Sequence, residues 1–386
     1  MLQYCFNNIF EKLEDGLDII EAILKYGDTV PDHIWKFFIP LIESVIGSKE
    51  ELKEFKNEYP NNIFVGQGYE TIFDIAKIVS IFIAKDPIAF SNKQDNNGEK
   101  YFNYVIKLIE SIISISESKS SYSEIKYSLK LISTLFDCYK GKIDILLEQL
   151  IKYILLKYKK EKINSGLENY LQSLISNCFI YDPLKSLQIF QKNNCAKDIF
   201  IFWFRGLDKL KRMEDLKCNL IGICSLISIE QNQQDQSIID NMKQILEKIY
   251  MLTENINKKI KDNEKCKKCD DEDEYEDVVD EEENDKENKP SGGPNNMDEI
   301  IQNILDGGQG YGDDEDLDYE EEDDDEKPLT NYEKQSPILF VKNTLNAVSQ
   351  KSPDIYKSIV ETLGDKINSL NQIFNNEEQR VAKSNK

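Results

Sequence analysis

The chain is poor in the residues on which most enzyme chemistry rests. It holds a single histidine, His33, in 386 residues. Nucleophilic triads and Cys–His pairs need an imidazole fixed by a surrounding shell, and a lone histidine among helix-start residues supplies none. No run of about 18 apolar residues occurs, which excludes a membrane-spanning helix. The opening stretch MLQYCFNNIFEKLED places Glu11, Glu14 and Asp15 where a secretory leader carries basic and then apolar residues, so no leader is read there. Strand-like alternation bounded by tight-turn dipeptides is nearly absent.

Cysteine is present but not in the pattern of a disulfide framework. Six of the eight (Cys5, Cys138, Cys178, Cys195, Cys218 and Cys224) lie amid apolar periodic sequence, as small core residues of a reduced compartment do. Cytoplasm, nucleus or both are the expected locations. Cys266-Lys-Lys-Cys269 has the spacing of a metal or thiol-exchange pair. A tetrahedral zinc needs four ligands, and no second Cys or His pair follows. Neighbouring acids would also disfavour a reactive thiolate there. Neither Gly292-Gly293 nor Gly307-Gly308-Gln309-Gly310 follows a strand or opens a helix with Lys-Ser/Thr, so no phosphate cradle is formed. The acidic runs lack the spacing of a calcium loop. The expectation is no catalytic residue, no metal and no cofactor.

What the sequence does hold is helix after helix. In YFNYVIKLIESIISI, Tyr101, Val105, Leu108, Ile109, Ile112 and Ile113 recur at steps of three and four, one stripe on a helix. Leu147, Leu150, Ile151, Ile154 and Leu155 do the same. Asp182-Pro183, Ser336-Pro337 and Ser352-Pro353 each set a capping side chain before a proline at the first helical position. Ser48 with Glu51, and Ser121 with Glu124, have capping-box spacing. The periodicity predicts helices over 7–26, 31–46, 69–90, 101–116, 122–139, 142–159, 163–180, 183–191, 197–212, 214–230, 236–261, 333–350 and 353–375. Pairs recur about every 40 residues, the spacing of HEAT or armadillo arrays, in which each pair buries its apolar face only by stacking on its neighbours. A compact bundle is the alternative. The expected fold is all-α: a HEAT-repeat-like α-solenoid over 1–262, a disordered acidic insert over 263–331 with a short helix near 297–305, helices over 332–375 docking back on the solenoid, and a tail over 376–386.

The formal net charge is −23, from 71 acids and 48 bases. Thirteen of the acids fall between Asp270 and Glu287, with Lys286 among them, and twelve between Asp313 and Glu326. Without those two stretches the remainder has 46 acids against 47 bases, a net of +1. The charge is a local device, not a property of the whole surface. A flexible polyanion repels nucleic acid and attracts Lys/Arg-rich polypeptide in many registers. Candidate contacts for a basic protein cargo are Asp270, Asp271, Glu272, Asp273, Glu274, Glu281, Glu282 and Glu283 in the first run. In the second they are Asp313, Asp314, Glu320, Glu321, Glu322, Asp323, Asp324 and Asp325. Direct nucleic-acid binding and membrane insertion are not expected.

Four segments carry a resemblance to a family. VPDHIWKFFIPLIE, with Pro31, Trp35, Pro40 and Leu41, is similar to a Pro-x-x-Trp helix followed by Pro-Leu. Tyr181-Asp-Pro183 with Leu187 is similar to a Tyr-x-Pro-x-x-x-Leu helix start. The stretch from Phe202 to Ser228 and the closing Ser352, Pro353 and Tyr356 flank the acidic insert in the matching order. Together they resemble the carboxyl-terminal third of the importin-β (karyopherin-β) nuclear transport receptors, in the branch of importins seven and eight. The resemblance implies a fragment of a receptor that carries basic cargo, of ribosomal-protein or histone type, between cytoplasm and nucleus in a Ran-dependent cycle. Contacts with Ran GTPase and nucleoporins would then lie in amino-terminal repeats outside these residues. The alternative is a stand-alone acidic histone chaperone or assembly scaffold without transport.

Overall fold

The computed structural model describes residues 9–119, 122–160, 163–229, 236–273 and 330–384. Residues 1–263 with 328–386 form one compact unit and residues 264–327 a second. In the first unit the described chain is helical, broken by short turns and one isolated bridge, Gln94 to Lys100. In chain order the helices are α1 (Ile9–Tyr26), α2 (Asp32–Trp35), α3 (Phe38–Ile46), α4 (Lys49–Glu58), α5 (Ile72–Lys85), α6 (Pro87–Asn92), α7 (Tyr101–Lys119), α8 (Lys126–Cys138) and α9 (Asp144–Lys157). They continue with α10 (Ser165–Tyr181), α11 (Pro183–Lys192), α12 (Ala196–Gly206), α13 (Met213–Ile227), α14 (Gln236–Asp273), α15 (Asn331–Lys334), α16 (Pro337–Lys351), α17 (Pro353–Leu363) and α18 (Lys366–Ser384).

The packing order is that of a stacked array. One row runs α1–α5–α8–α10–α13–α16–α18, each helix against the next. A second set covers it, with α3 on α7, α7 on α8, α9 on α10, and α11 and α12 on α10. Members of the row begin at Lys126, Ser165 and Met213, then at Pro337. The regular step is thus interrupted once, after α13, and α16 takes the next place in the row. The buried apolar side chains form one continuous cluster from Leu13 to Phe374. This is an all-α solenoid; each helix pair completes its core with its neighbours' side chains.

The stripes read from sequence are the buried ones, with local shifts. On α7, Tyr101, Val105, Leu108, Ile109 and Ile112 are buried, joined by Tyr104 and Ile115. On α9 the buried set is Leu146, Leu147, Leu150, Ile151 and Ile154, while Leu156 faces solvent.

Several boundaries differ from the periodic reading, each for a local reason. The span 31–46 is two helices, α2 and α3, because the Pro40 ring has no room beside the carbonyl of Lys36 in a continuous helix. The span 69–90 breaks at Asp86, whose side chain accepts the Ala89 N–H at 2.9 Å with Pro87 in the first helical position. The span 353–375 breaks at Gly364, which sits at φ +53°, a conformation costly for other residues. Helix α4 is absent from the expected set although its capping box is complete: Glu51 N–H to Ser48 Oγ at 3.2 Å, and Ser48 N–H to Glu51 Oε2 at 2.8 Å. It buries no residue, so periodicity alone does not mark it.

The tightest seam joins α10 to α13. Ser176 Oγ donates to Asn219 Oδ1 at 2.7 Å, and Trp203 Nε1 donates to the same oxygen at 2.7 Å. Asn219 Nδ2 closes onto the Asp215 carbonyl at 2.8 Å. Gly222 permits the approach, because a Cβ there would stand 2.8 Å from the Ser176 Cα. Replacing Asn219 by Leu strands the buried Trp203 N–H, leaves Ser176 Oγ with the Gln172 carbonyl alone, and puts an apolar side chain among the seam's polar groups. The expected loss is about 2–4 kcal/mol of unfolding free energy, measured by urea denaturation against Asn368→Leu as an exposed control. An unchanged midpoint would show that the seam does not hold the row.

Candidate protein-binding surface

Of the acidic candidates, Asp270, Asp271, Glu272 and Asp273 are the last residues of α14. Helix α14 therefore passes the expected boundary at 262 and takes Cys266 and Cys269 into helical backbone. No Gly or Pro occurs between Gln236 and Lys289 to stop it, and the Lys/Glu-rich sequence favours helix. Glu274, Glu281, Glu282, Glu283, Asp313, Asp314, Glu320, Glu321, Glu322, Asp323, Asp324 and Asp325 lie outside the described residues, as does the expected helix at 297–305.

The two ends of the interruption are fixed to the array in different ways. On the outgoing side α14 buries Ile238, Ile245, Leu246, Ile249, Leu252 and Ile256. Lys248 Nζ pairs with Asp208 at 2.7 Å, and Lys366 Nζ lies 5.1 Å from the centre of the Tyr250 ring. On the returning side Thr330 is buried and opens α15 with a capping box closed by Glu333. Asn331 donates its backbone N–H to Asp137 Oδ2 at 2.9 Å and its side-chain amide to Asp137 Oδ1 at 3.0 Å, across 194 residues of sequence. Ser336 then caps α16 and donates to Glu377 Oε1 at 2.6 Å, while Arg380 grips both oxygens of Glu377. Burial pushes the Glu377 carboxyl up, yet Arg380 and Ser336 outweigh it and hold it below the ordinary glutamate range.

Other groupings are structural. Asp95 accepts N–H bonds from Asn97 and Glu99 and the Tyr104 hydroxyl, and although partial burial pushes the other way these hold its pKa near about 2. Lys49 and Lys107 occupy the adjoining Glu99. Cys178, Cys218 and Cys224 are buried, and their thiols are pushed up by desolvation, the opposite of a reactive thiolate. His33 is exposed on α2. Among the described residues no group of three His, Cys, Asp or Glu side chains is placed to hold a metal, and no helix is long and apolar enough to cross a membrane.

The segments behind the family resemblance pack the array. Trp35 is buried among Phe38, Phe82 and Tyr101. Tyr181 stacks on Phe136 with centroids 4.4 Å apart, and its hydroxyl donates to Asp144 at 2.8 Å. Asp182 caps α11 through the Lys185 N–H, and Lys185 Nζ reaches the same Asp144 at 2.6 Å. Phe202–Ser228 contains Trp203, Asn219 and Gly222 of the seam. Sequence reasoning missed the Asn331–Asp137 contact altogether, because no local pattern links residues so far apart.

No protein-family model matches the chain, and no solved structure matches it. Two curated proteins do. A probable importin-7 homolog of Dictyostelium discoideum is 26% identical over 131 residues, 33% of this chain and 12% of that protein. An importin beta-like SAD2 homolog of Arabidopsis thaliana is 24% identical over 129 residues, 31% of this chain and 12% of that protein. The matched stretch is thus a small part of each relative's length.

The Glu377 contact has an acid signature. A carboxyl whose folded pKa is depressed stabilises the fold above its unfolded value, and that stabilisation is lost as pH falls through the folded value. Glu377→Gln is therefore expected to be less stable than the parent at neutral pH. The gap should narrow below about pH 4, the ordinary glutamate range, in thermal melts across that interval. A gap constant with pH would show that Glu377 acts by shape alone.

Proposed function

We propose that the chain, related to importin-β-type proteins over about a third of its length, is the cargo-facing, HEAT-type portion of such a nuclear transport receptor. In this reading the acidic runs 270–287 and 313–326 engage basic protein cargo of ribosomal-protein or histone type. The supporting observation is the segregation of charge. Twenty-five acids sit within an interruption of a helical row whose remaining sequence is close to neutral. A dense run of carboxylates raises the encounter rate with Lys/Arg-rich surfaces and screens them from nucleic acid. The stacked helices supply the surface against which a bound protein is retained. No reaction is catalysed. Passage between cytoplasm and nucleus, and release of cargo by Ran-GTP, come with the family and require Ran and nucleoporin contacts of a whole receptor.

The test is a binding isotherm for a linker histone or basic ribosomal protein, with the full chain and with a variant whose 25 acids in the two runs are changed to Asn and Gln. The full chain should bind with steep salt dependence, as exposed charges are screened within about 8 Å at physiological ionic strength. The neutralised variant should lose at least about tenfold, a free-energy change of about 1.4 kcal/mol. Equal binding by the two proteins would remove the runs from cargo recognition.

A further inference from the structure

The contact that returns the chain to the array has the form of a ligand. Asp137, next to the last residue of α8, receives two N–H groups from one residue, one on each carboxylate oxygen, at 2.9 and 3.0 Å. Both donors are neutral amides. An arginine guanidinium offers the same pair of parallel N–H groups in a rigid fork and adds a positive charge, which roughly doubles the strength of such bonds. The carboxyl end of a helix also favours a cation over a neutral donor.

The hold on Asp137 is light compared with the attachment of the neighbouring helix α16. Thr330 is the one anchored residue of this stretch, buried and capping; Asn331, Lys334 and Gln335 are exposed, and α15 is a single turn. In α16 and its cap, Ser336 is tied to Glu377, and Ile338 and Val341 are fully buried. Gln335 therefore separates a weak attachment from a strong one.

We propose that Thr330–Gln335 is a clasp in which Asn331 stands in for an arginine side chain, and that an arginine of a basic partner displaces it from Asp137. The idea rests on the reading of this chain as a binder of basic polypeptides and specifies one point of recognition on the helices themselves. It also favours arginine over lysine, whose point-like ammonium cannot occupy both oxygens in the same fashion.

Asn331 offers a clean variant. It is the first residue of α15, where proline is tolerated, and Thr330 before it lies at φ −88° and ψ 158°, as a residue preceding proline requires. Asn331→Pro deletes both donors and keeps the turn. Nona-arginine and nona-lysine are titrated against the full-length parent, Asn331→Pro and Asp137→Asn at about 0.15 M salt, with amide hydrogen exchange of 328–336 read alongside. Nona-arginine should abolish protection of the 330–335 amides in the parent, and nona-lysine should leave it. Asn331→Pro should bind nona-arginine about fivefold tighter, the competing pair of bonds being gone, and nona-lysine unchanged. Asp137→Asn should erase the difference between the peptides. Salt-dependent binding of nona-arginine with the clasp still protected, and no gain in Asn331→Pro, would sink the clasp and leave the basic-partner reading standing. Failure of both peptides to bind the parent would sink both.

Discussion

The close approach of α10 to α13 is the constraint on which the rest of the array depends. A row of amphipathic helices has no stable end state in isolation, since each exposes an apolar stripe until the next covers it. Apolar contact alone would let two such helices slide or rotate. Here Gly222 against Ser176 fixes their distance, and the Asn219 oxygen, shared by Ser176 and Trp203, fixes their register. A buried amide that satisfies two donors tolerates little displacement, because moving it strands polar groups where water cannot reach. Trp203 brings α12 into the same junction. Ser173, which donates to Asp215 at 3.3 Å, and Asn177, which donates to the Cys218 sulfur at 3.3 Å, extend the polar contacts along the seam.

A rigid row can carry a long interruption without losing its order. The sequence between α13 and α16 is far longer than the usual step, yet α16 packs on α13 as the next member. Closing a long loop costs only slightly more than closing a short one, as the entropy grows with the logarithm of length. What matters is that both edges are seated. Helix α14 buries an apolar stripe before the acidic stretch begins, and the Ser336–Glu377–Arg380 cluster seats the return. Carboxylates that repel one another are thereby kept in sequence away from the apolar core.

How much of this was legible in the sequence depends on how local each signal is. Stripes such as Tyr101 to Ile112 announced their helices and their buried faces, because the period of the helix is written in neighbouring residues. Asp182-Pro183 and Ser336-Pro337 announced helix starts, and Asp86-Pro87 is the same device within a span read as unbroken. Helix α4 went unread since its stability comes from a capping box and charged residues, with little apolar stripe to detect. The extension of α14 to Asp273 was hidden by charge: acids suggest solvated coil, but nothing in Lys261–Asp273 breaks a helix. The site was least legible. That two acidic runs hold the charge is a matter of counting, whereas the pairing of Asn331 with Asp137 is a product of helix stacking and cannot be inferred from either residue's surroundings.

On the proposed reading, charge and geometry would divide the work of recognition. Long runs of carboxylates act through a field that decays within about 8 Å at physiological salt and is indifferent to register. Such a field recruits basic chains quickly but discriminates poorly among them. Discrimination needs a carboxylate held by a rigid element, with its oxygens presented in a fixed plane, so that one cationic side chain fits better than another. Asp137 would meet that requirement, because α8 packs between α5 and α10, and on the proposed reading its occupation by Asn331 would set a threshold that a weakly matched partner does not pass. The acidic runs would therefore govern how fast a basic partner arrives, and the carboxylates borne on the helices would govern which partner stays.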